Sequence, residues 1–270
     1  MHFQQIAPPA PLQPYVQHFW TLESAEPVPR SFSTIADGCP GLIWQQATGG
    51  IRDHAGKTWP TVLLHGQATQ ASTMHIGGPF RMVGACLHPS AAPALFDLRA
   101  DELTDSCLDI GLLDNPARAL THHLNPDATL PQQLEQLSAY LLARVAATSR
   151  PAVPGVQHAL ARLQATQGRV SLRELQEETQ LSERSLQRRF QEQVGISPKL
   201  FARICRFQAT LHELRAASYD KLSDLAFEHD YADQSHHIRG FREFAGLSPR
   251  QYLHQAREVM QNLTEPHRKG

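Results

Sequence analysis

The C-terminal half of the chain carries one pattern twice. Leu172, Leu175 and Leu181 recur fifty residues later as Leu222, Leu225 and Tyr231. Arg188, Phe190, Gly195, Ser197 and Pro198 recur fifty-one residues later as Arg239, Phe241, Gly246, Ser248 and Pro249. The register slips by one residue between Gln180–Ser182 and Asp230–Asp233. Such a slip is cheap in a turn, but inside a helix it would rotate every following side chain by about 100°. Each copy therefore reads as helix, short turn, helix, and then Gly-x-Ser-Pro opening another helix. Helical arrays that only stack need three or more units to share a core, and this chain has two. Two helix-turn-helix units on one connecting helix suit duplex DNA. Each second helix enters a major groove, and the connector sets the readers about one helical turn (roughly 34 Å) apart.

The flanking punctuation agrees. Val156, Leu160 and Leu163 mark a helix that Gly168 can end, Ser171 and Glu174 form a capping-box pattern, and Ser182 can cap the helix that ends at Gly195. Ser197-Pro198 opens a long helix with Phe201, Ile204, Phe207, Leu211 and Leu214 on one side. Upstream, Thr148–Gly155 holds two prolines and a glycine, the composition of a linker. It divides the chain into residues 1–150, carrying 8 Lys/Arg against 12 Asp/Glu, and residues 151–270, carrying 17 against 14. A mildly basic C-terminal part permits a polyanionic partner without proving one.

Residues 1–100 read as β-rich. Short apolar runs at Tyr15–Leu22, Gly41–Trp44, Thr61–His65 and Phe80–Leu87 are separated by turns such as Asp37–Pro40, Gly49-Gly50 and Gly77–Pro79, which suggests a sandwich or barrel. Residues 101–150 read as helical. Leu130, Leu134, Leu137, Leu141 and Val145 draw one stripe that either packs on its own domain or joins two copies as a homodimer. The fold class expected is α+β in two domains. No run approaches the ~20 apolar residues of a membrane span and no signal peptide is evident, so the expected location is cytoplasmic and no membrane partner is expected. Cys39, Cys86, Cys107 and Cys205 are scattered and read as small buried or half-buried thiols.

At this point a resemblance becomes specific. The segment from about Gly168 to Gln255 resembles the DNA-binding domain of the AraC/XylS family of bacterial transcription regulators. The carrying stretches are Leu181–Phe190, Gly195–Pro198, Ala232–His236, then Arg239, Phe241 and Phe244, through to Gly246–Pro249. In the first reading helix Leu186 and Phe190 face inward, so Arg184, Gln187, Arg188 and Gln191 face out, where Arg suits guanine and Gln suits adenine. The resemblance places base-facing residues at these same positions. In the second helix Phe241 and Phe244 turn inward, leaving Gln234, Ser235, His236, Ile238 and Arg239 toward the groove. Phosphate contacts are expected from Arg189, Lys199, Arg203, Arg242 and Arg250, with backbone donors at Ser197 and Ser248. His237 departs from the family's apolar residue and reads as a core histidine. His229-Asp230 replaces a pair usually ending in glycine.

The family implies an N-terminal regulatory domain that senses a ligand, dimerises, or both. Residues 1–120 resemble its cupin-like sensor domains at Pro14–Trp20 and Asp37–Pro40. Trp20, Trp44 and Trp59 either line an apolar pocket for a small-molecule effector or are plain core. The rival reading is a metal-binding cupin-like enzyme domain fused to the DNA-binding module, built on His65, His75, His88 and Cys86. The preferred reading calls for no catalytic residue, metal or cofactor. An activator would also meet RNA polymerase.

Overall fold

The computed structural model of the chain describes residues 1–112, 125, 127–147, 153–216, 225 and 233–256. Nine strands are described: β1 (His2–Ile6), β2 (Val16–Ser24), β3 (Arg30–Thr34), β4 (Gly41–Ala47), β5 (Ile51–Asp53), β6 (Val62–His65), β7 (Ser72–Ile76), β8 (Phe80–Leu87) and β9 (Cys107–Asp109). They form two antiparallel sheets, a six-stranded one in the order β1-β2-β8-β4-β6-β9 and a three-stranded one in the order β3-β7-β5.

The larger sheet is covered on both faces. Trp20, Leu22, Ile43, Leu63 and Met82 face Ile51, Met74 and Ile76 of the smaller sheet. The opposite face, with Phe19, Leu42, Trp44, Val62 and Val83, packs under helices α1 (Ala91–Phe96) and α2 (Leu130–Ala147). A strand buried on both faces has no polar side to show, which is why β4 and β8 read as apolar runs and not as alternating ones. Strands β1, β3, β5, β7 and β9 were not among the expected runs. β3 (RSFST) and β7 (STMHI) are half polar because their outer faces meet water. β9 falls in the stretch read as helical, where three residues pair with β6.

The leucine stripe is spent inside the molecule. Leu137 and Leu141 are fully buried, with Leu130, Leu134 and Val145 packed beside them on the sheet and α1. The dimer contact expected as one alternative therefore has no exposed stripe to use.

Among the described residues, the C-terminal part holds α3 (Pro154–Ala165), α4 (Leu172–Thr179), α5 (Glu183–Val194), α6 (Pro198–Ala216), α7 (Gln234–Ala245) and α8 (Pro249–Ala256). Its starts and stops follow from side-chain caps. Ser171 and Glu174 close a reciprocal capping box, Ser182 Oγ accepts from Ser185 N, and Asp233 Oδ1 accepts from His236 N. Gly195 and Gly246 end α5 and α7 in the left-handed region at φ 96° and 73°, where glycine is favoured. Of the residues in the linker and in the second unit's first helix and turn, 148–152, 222–224 and 226–232 lie outside those described, including His229-Asp230.

The duplication reappears as packing. Phe190 meets Phe201 edge-on with ring centroids 5.7 Å apart and planes at 63°. Fifty-one residues on, Phe241 meets Tyr252 at 5.8 Å and 69°. Phe207, on the connector α6, packs against Phe241 at 5.2 Å and Phe244 at 5.4 Å. Thus α6 holds the first unit with Phe201 and the second with Phe207, six residues or about 9 Å along one rigid helix.

Candidate functional site

The outer faces of α5 and α7 carry the expected readers. Arg184, Gln187, Arg188 and Gln191 are exposed on α5, opposite the buried Leu186 and Phe190. Gln234, Ser235, His236 and Arg239 are exposed on α7, and Ile238 is half-buried beside them. His237 is buried with its ring edge-on to Phe241 at 6.1 Å, occupying the place that Leu186 holds in the first copy. Within α5, Gln187 donates to Glu183 and Arg188 to Glu192, both at 3.1 Å. These exposed pairs, one turn apart, are weak and yield readily to a stronger anion.

The phosphate set divides. Arg189, Lys199, Arg242 and Arg250 are exposed beside the reading faces. None has an acidic partner among the described residues. Arg203 is placed otherwise. It is half-buried, paired with Glu243, and its guanidinium lies over the Phe244 ring at 5.1 Å, so it braces α6 against α7. Ser197 and Ser248 use their hydroxyls on their own helices, accepting from Leu200 N and Gln251 N.

Both α5 and α7 end on the β-rich part. At the foot of α5, Thr104 Oγ1 donates to Gly195 O at 2.6 Å, and a Cβ on Gly195 would meet Ala100 O at 3.0 Å. At the foot of α7, Ala36 N donates to Phe244 O at 3.0 Å, and the Ala71 methyl lies 3.1 Å from where a Gly246 Cβ would sit. Gln208 Nε2 on the connector donates to Ala36 O at 2.6 Å. Ile35 and Ala36 are members of the helical core itself.

Between the two sheets lies a cavity of about 310 Å³. Trp20, Ile43 and Met74 supply apolar wall, and Trp59 stands partly buried at its side. Trp44 does not line it. Successive strand residues face opposite ways, so the step from Ile43 to Trp44 turns that indole into the core beneath the helices. The exposed His54, Lys57, Gln70 and Asp105 mark the mouth.

Deeper in are His18, Asp37, Cys39, His65, Gln67 and Cys86. Burial pushes the Asp37 carboxyl up to about 6, against the pull of the Cys39 N–H it accepts at 2.9 Å. Cys39 and Cys86 share a hydrogen bond that, with burial, holds the Cys39 thiol well above its ordinary range. Burial lowers the pKa of His18 and of His65 and keeps both neutral. His65 Nδ1 donates to Gly66 O at 3.1 Å, leaving Nε2 as an acceptor. That atom sits where a Cβ on Gly41 would come within 2.5 Å, so only glycine fits opposite. His75 and His88 lie elsewhere, one bonded to Ser31 and the other to Gln13 O. The metal set imagined from sequence therefore does not converge, and among the described residues no group of three His, Cys, Asp or Glu side chains is placed to hold a metal.

Residues 175–255, spanning the connector and both readers, match a helix-turn-helix domain family. The chain carries its resemblance to the AraC/XylS family in that same stretch. It is accordingly a DNA-binding transcription regulator. Residues 4–109 match a domain of unknown function (DUF6597). No curated protein sequence matches the chain. Similar solved structures include ToxT from Vibrio cholerae, 11% identical, covering 87% of this chain and 98% of that one at a TM-score of 0.46. ToxT from Vibrio cholerae O395 is 10% identical, covering 95% and 99% at 0.46. Wild-type ToxT from strain SCE256, bound to an unsaturated fatty acid, is 9% identical, covering 90% and 96% at 0.47. Likeness at this distance assigns no residue its role.

The unforeseen residues are those at the seam. Asp37–Pro40 reads in sequence as a turn and as a point of likeness to cupin-like sensor domains, and Ile35-Ala36 carries no signal of its own. Nothing local tells that one side of this strap lines a cavity while the other is core for a helix two hundred residues away.

Proposed function

We propose that residues 151–270 read an asymmetric DNA site through the exposed faces of α5 and α7, and that residues 1–150 are the sensor for a small-molecule effector. Arg184, Gln187, Arg188 and Gln191 read one groove segment, and Gln234, Ser235, His236, Ile238 and Arg239 read the next. Arg189, Lys199, Arg242 and Arg250 hold phosphates, whereas Arg203 keeps the two units in register. The supporting observation is the strap Ile35–Cys39, with Asp37 and Cys39 on the cavity and Ile35 and Ala36 in the DNA-binding core. A ligand that displaces the strap acts directly on the foot of α7 through the Ala36–Phe244 hydrogen bond. A cytoplasmic location and, for an activator, contact with RNA polymerase belong to the same proposal.

The test starts from a DNA site selected from a random pool with the full chain. Arg188→Ala and Arg239→Ala are each expected to cost about 1–3 kcal/mol and to relax preference at one base position, in different halves of the site. Lys199→Ala is expected to weaken all sequences equally and to reduce the salt slope by about 1. Uniform losses from all three variants would show that the reading faces are misassigned.

A further inference from the structure

Resting on the effector reading above, we infer that the cavity takes a compact aromatic amine, bound as its cation against Asp37. Three observations converge. First, the charged lining is acidic: Asp37, Asp53 and Asp105 stand against Lys57, with His18, His54 and His65 as the other bases. The two outer carboxylates are already held by backbone donors, Asp53 by Ala55 and Lys57, and Asp105 by Thr69. Asp37 is different. It is the deep one: its carboxylate accepts from the Cys39 N–H and its own N–H, and no cation stands beside it. Second, the depth of the cavity is rich in acceptors. Gln67 is 1% exposed, its Nε2 is committed to Gly38 O at 3.0 Å, and its Oε1 has no donor within the protein. His65 adds a bare Nε2. A buried acceptor without a partner is costly, so its natural complement is a ligand N–H. Third, the indoles of Trp20 and Trp59 give aromatic walls, which favour a flat ring and attract a cation.

A carboxylate ligand meets the opposite conditions. It would bring a second anion toward Asp37 and face acceptors with an acceptor. At about 310 Å³ the cavity lies at the small end of the ~300–1,000 Å³ range of ligand sites, which suits one or two fused rings with a short amine arm. The ammonium group would draw on Asp37, which belongs to the strap that holds Phe244 O. Binding and the position of α7 are thus joined through three consecutive residues.

Calorimetric titration of the full chain at pH 7.5 compares three probes on one ring: tryptamine, the neutral tryptophol and indole-3-propionate. Tryptamine is expected to bind at least tenfold more tightly than either of the others. Asp37→Asn, which keeps an oxygen for the Cys39 N–H, is expected to remove that preference while tryptophol still binds, which shows the variant folded. Gln67→Leu is expected to weaken tryptamine several-fold by a separate route. Equal or tighter binding of indole-3-propionate, or tryptamine preference surviving in Asp37→Asn, overturns the amine assignment and leaves the effector reading standing. If no probe binds, the amine assignment is overturned. If, in addition, filling the cavity with Ser72→Trp leaves operator affinity unchanged, the effector reading falls with it.

Discussion

Asp37→Asn at neutral pH should make the empty protein more stable. The carboxyl of Asp37 holds its proton up to about 6 in the folded chain, against an ordinary 3.8. At ~1.4 kcal/mol per pH unit the gap sets a ceiling of about 3 kcal/mol. Asp37 is half-buried and its cavity side meets water, so about 1–2 kcal/mol is the working figure. The folded state binds the proton more tightly than the unfolded state, so Asp37's contribution declines as pH rises from about 4 through 6, and the whole cost is present above 7. Asparagine cannot ionise and still offers an oxygen to the Cys39 N–H, 2.9 Å away in the wild type. Urea melts of both proteins at pH 4, 5, 6 and 7.5 isolate this residue, because every other carboxylate cancels in the difference. The difference should be near zero at pH 4 and should grow to about 1–2 kcal/mol by pH 7.5. A variant less stable than wild type at pH 7.5, or a difference indifferent to pH, would refute an unneutralised carboxylate at this position.

Phe207→Ala should cost about 3–5 kcal/mol, because the ring is fully buried and packs on both Phe241 and Phe244; calorimetry of the full chain reads the loss. In Gly84→Ala the new methyl would lie 2.2 Å from the Trp20 ring, so the indole must move from its buried place on the cavity wall, and red-shifted tryptophan emission should report it. Gln208→Ala removes the donor to Ala36 O and should lower stability by about 1 kcal/mol while altering operator affinity, although Gln208 is not on a reading face. Unchanged DNA affinity in that variant would argue against the seam as the route between the two parts.

The C-terminal architecture was legible in sequence because its signals are local. A cap such as Ser171, a glycine such as Gly195 and the spacing of Phe190 from Leu186 each act within one or two turns of helix. A duplication then states the same information twice. The two sheets were half legible. Strands buried on both faces, such as β8, stand out as apolar runs, whereas β3 and β7 hide because a half-wet strand of five residues resembles a loop. Trp44 shows the limit most plainly. Its residue type suited the pocket, but the direction of its side chain depends on strand register, which only the pairing with Val62 and Val83 settles. Arg203 is a related case: only the fold shows that this basic residue meets Glu243 and the Phe244 ring on α7.

The placement of the two glycine caps bears on how any signal reaches DNA. Gly195 and Gly246 are equivalent in the two copies, and each sits against the β-rich part, one at Ala100 and Thr104, the other at Ala71. The readers are therefore held at their C-terminal ends and present the rest of their outer faces to solvent. Rotation about a fixed foot moves the far end of a twelve-residue helix, about 18 Å away, by far more than the foot itself. Half an ångström at Ala36 or Thr104 is too small to disturb the packed core, yet through such a lever it can misalign one reader relative to the other. Because the connector α6 is continuous through Phe201 and Phe207, the core resists changing the spacing of the units and leaves their tilt as the softer coordinate. An effector acting on the strap would accordingly change the match to a two-segment site much more than the affinity for a single segment. Comparing full and half sites with and without tryptamine would reveal that asymmetry, and equal responses of the two would exclude a lever of this kind.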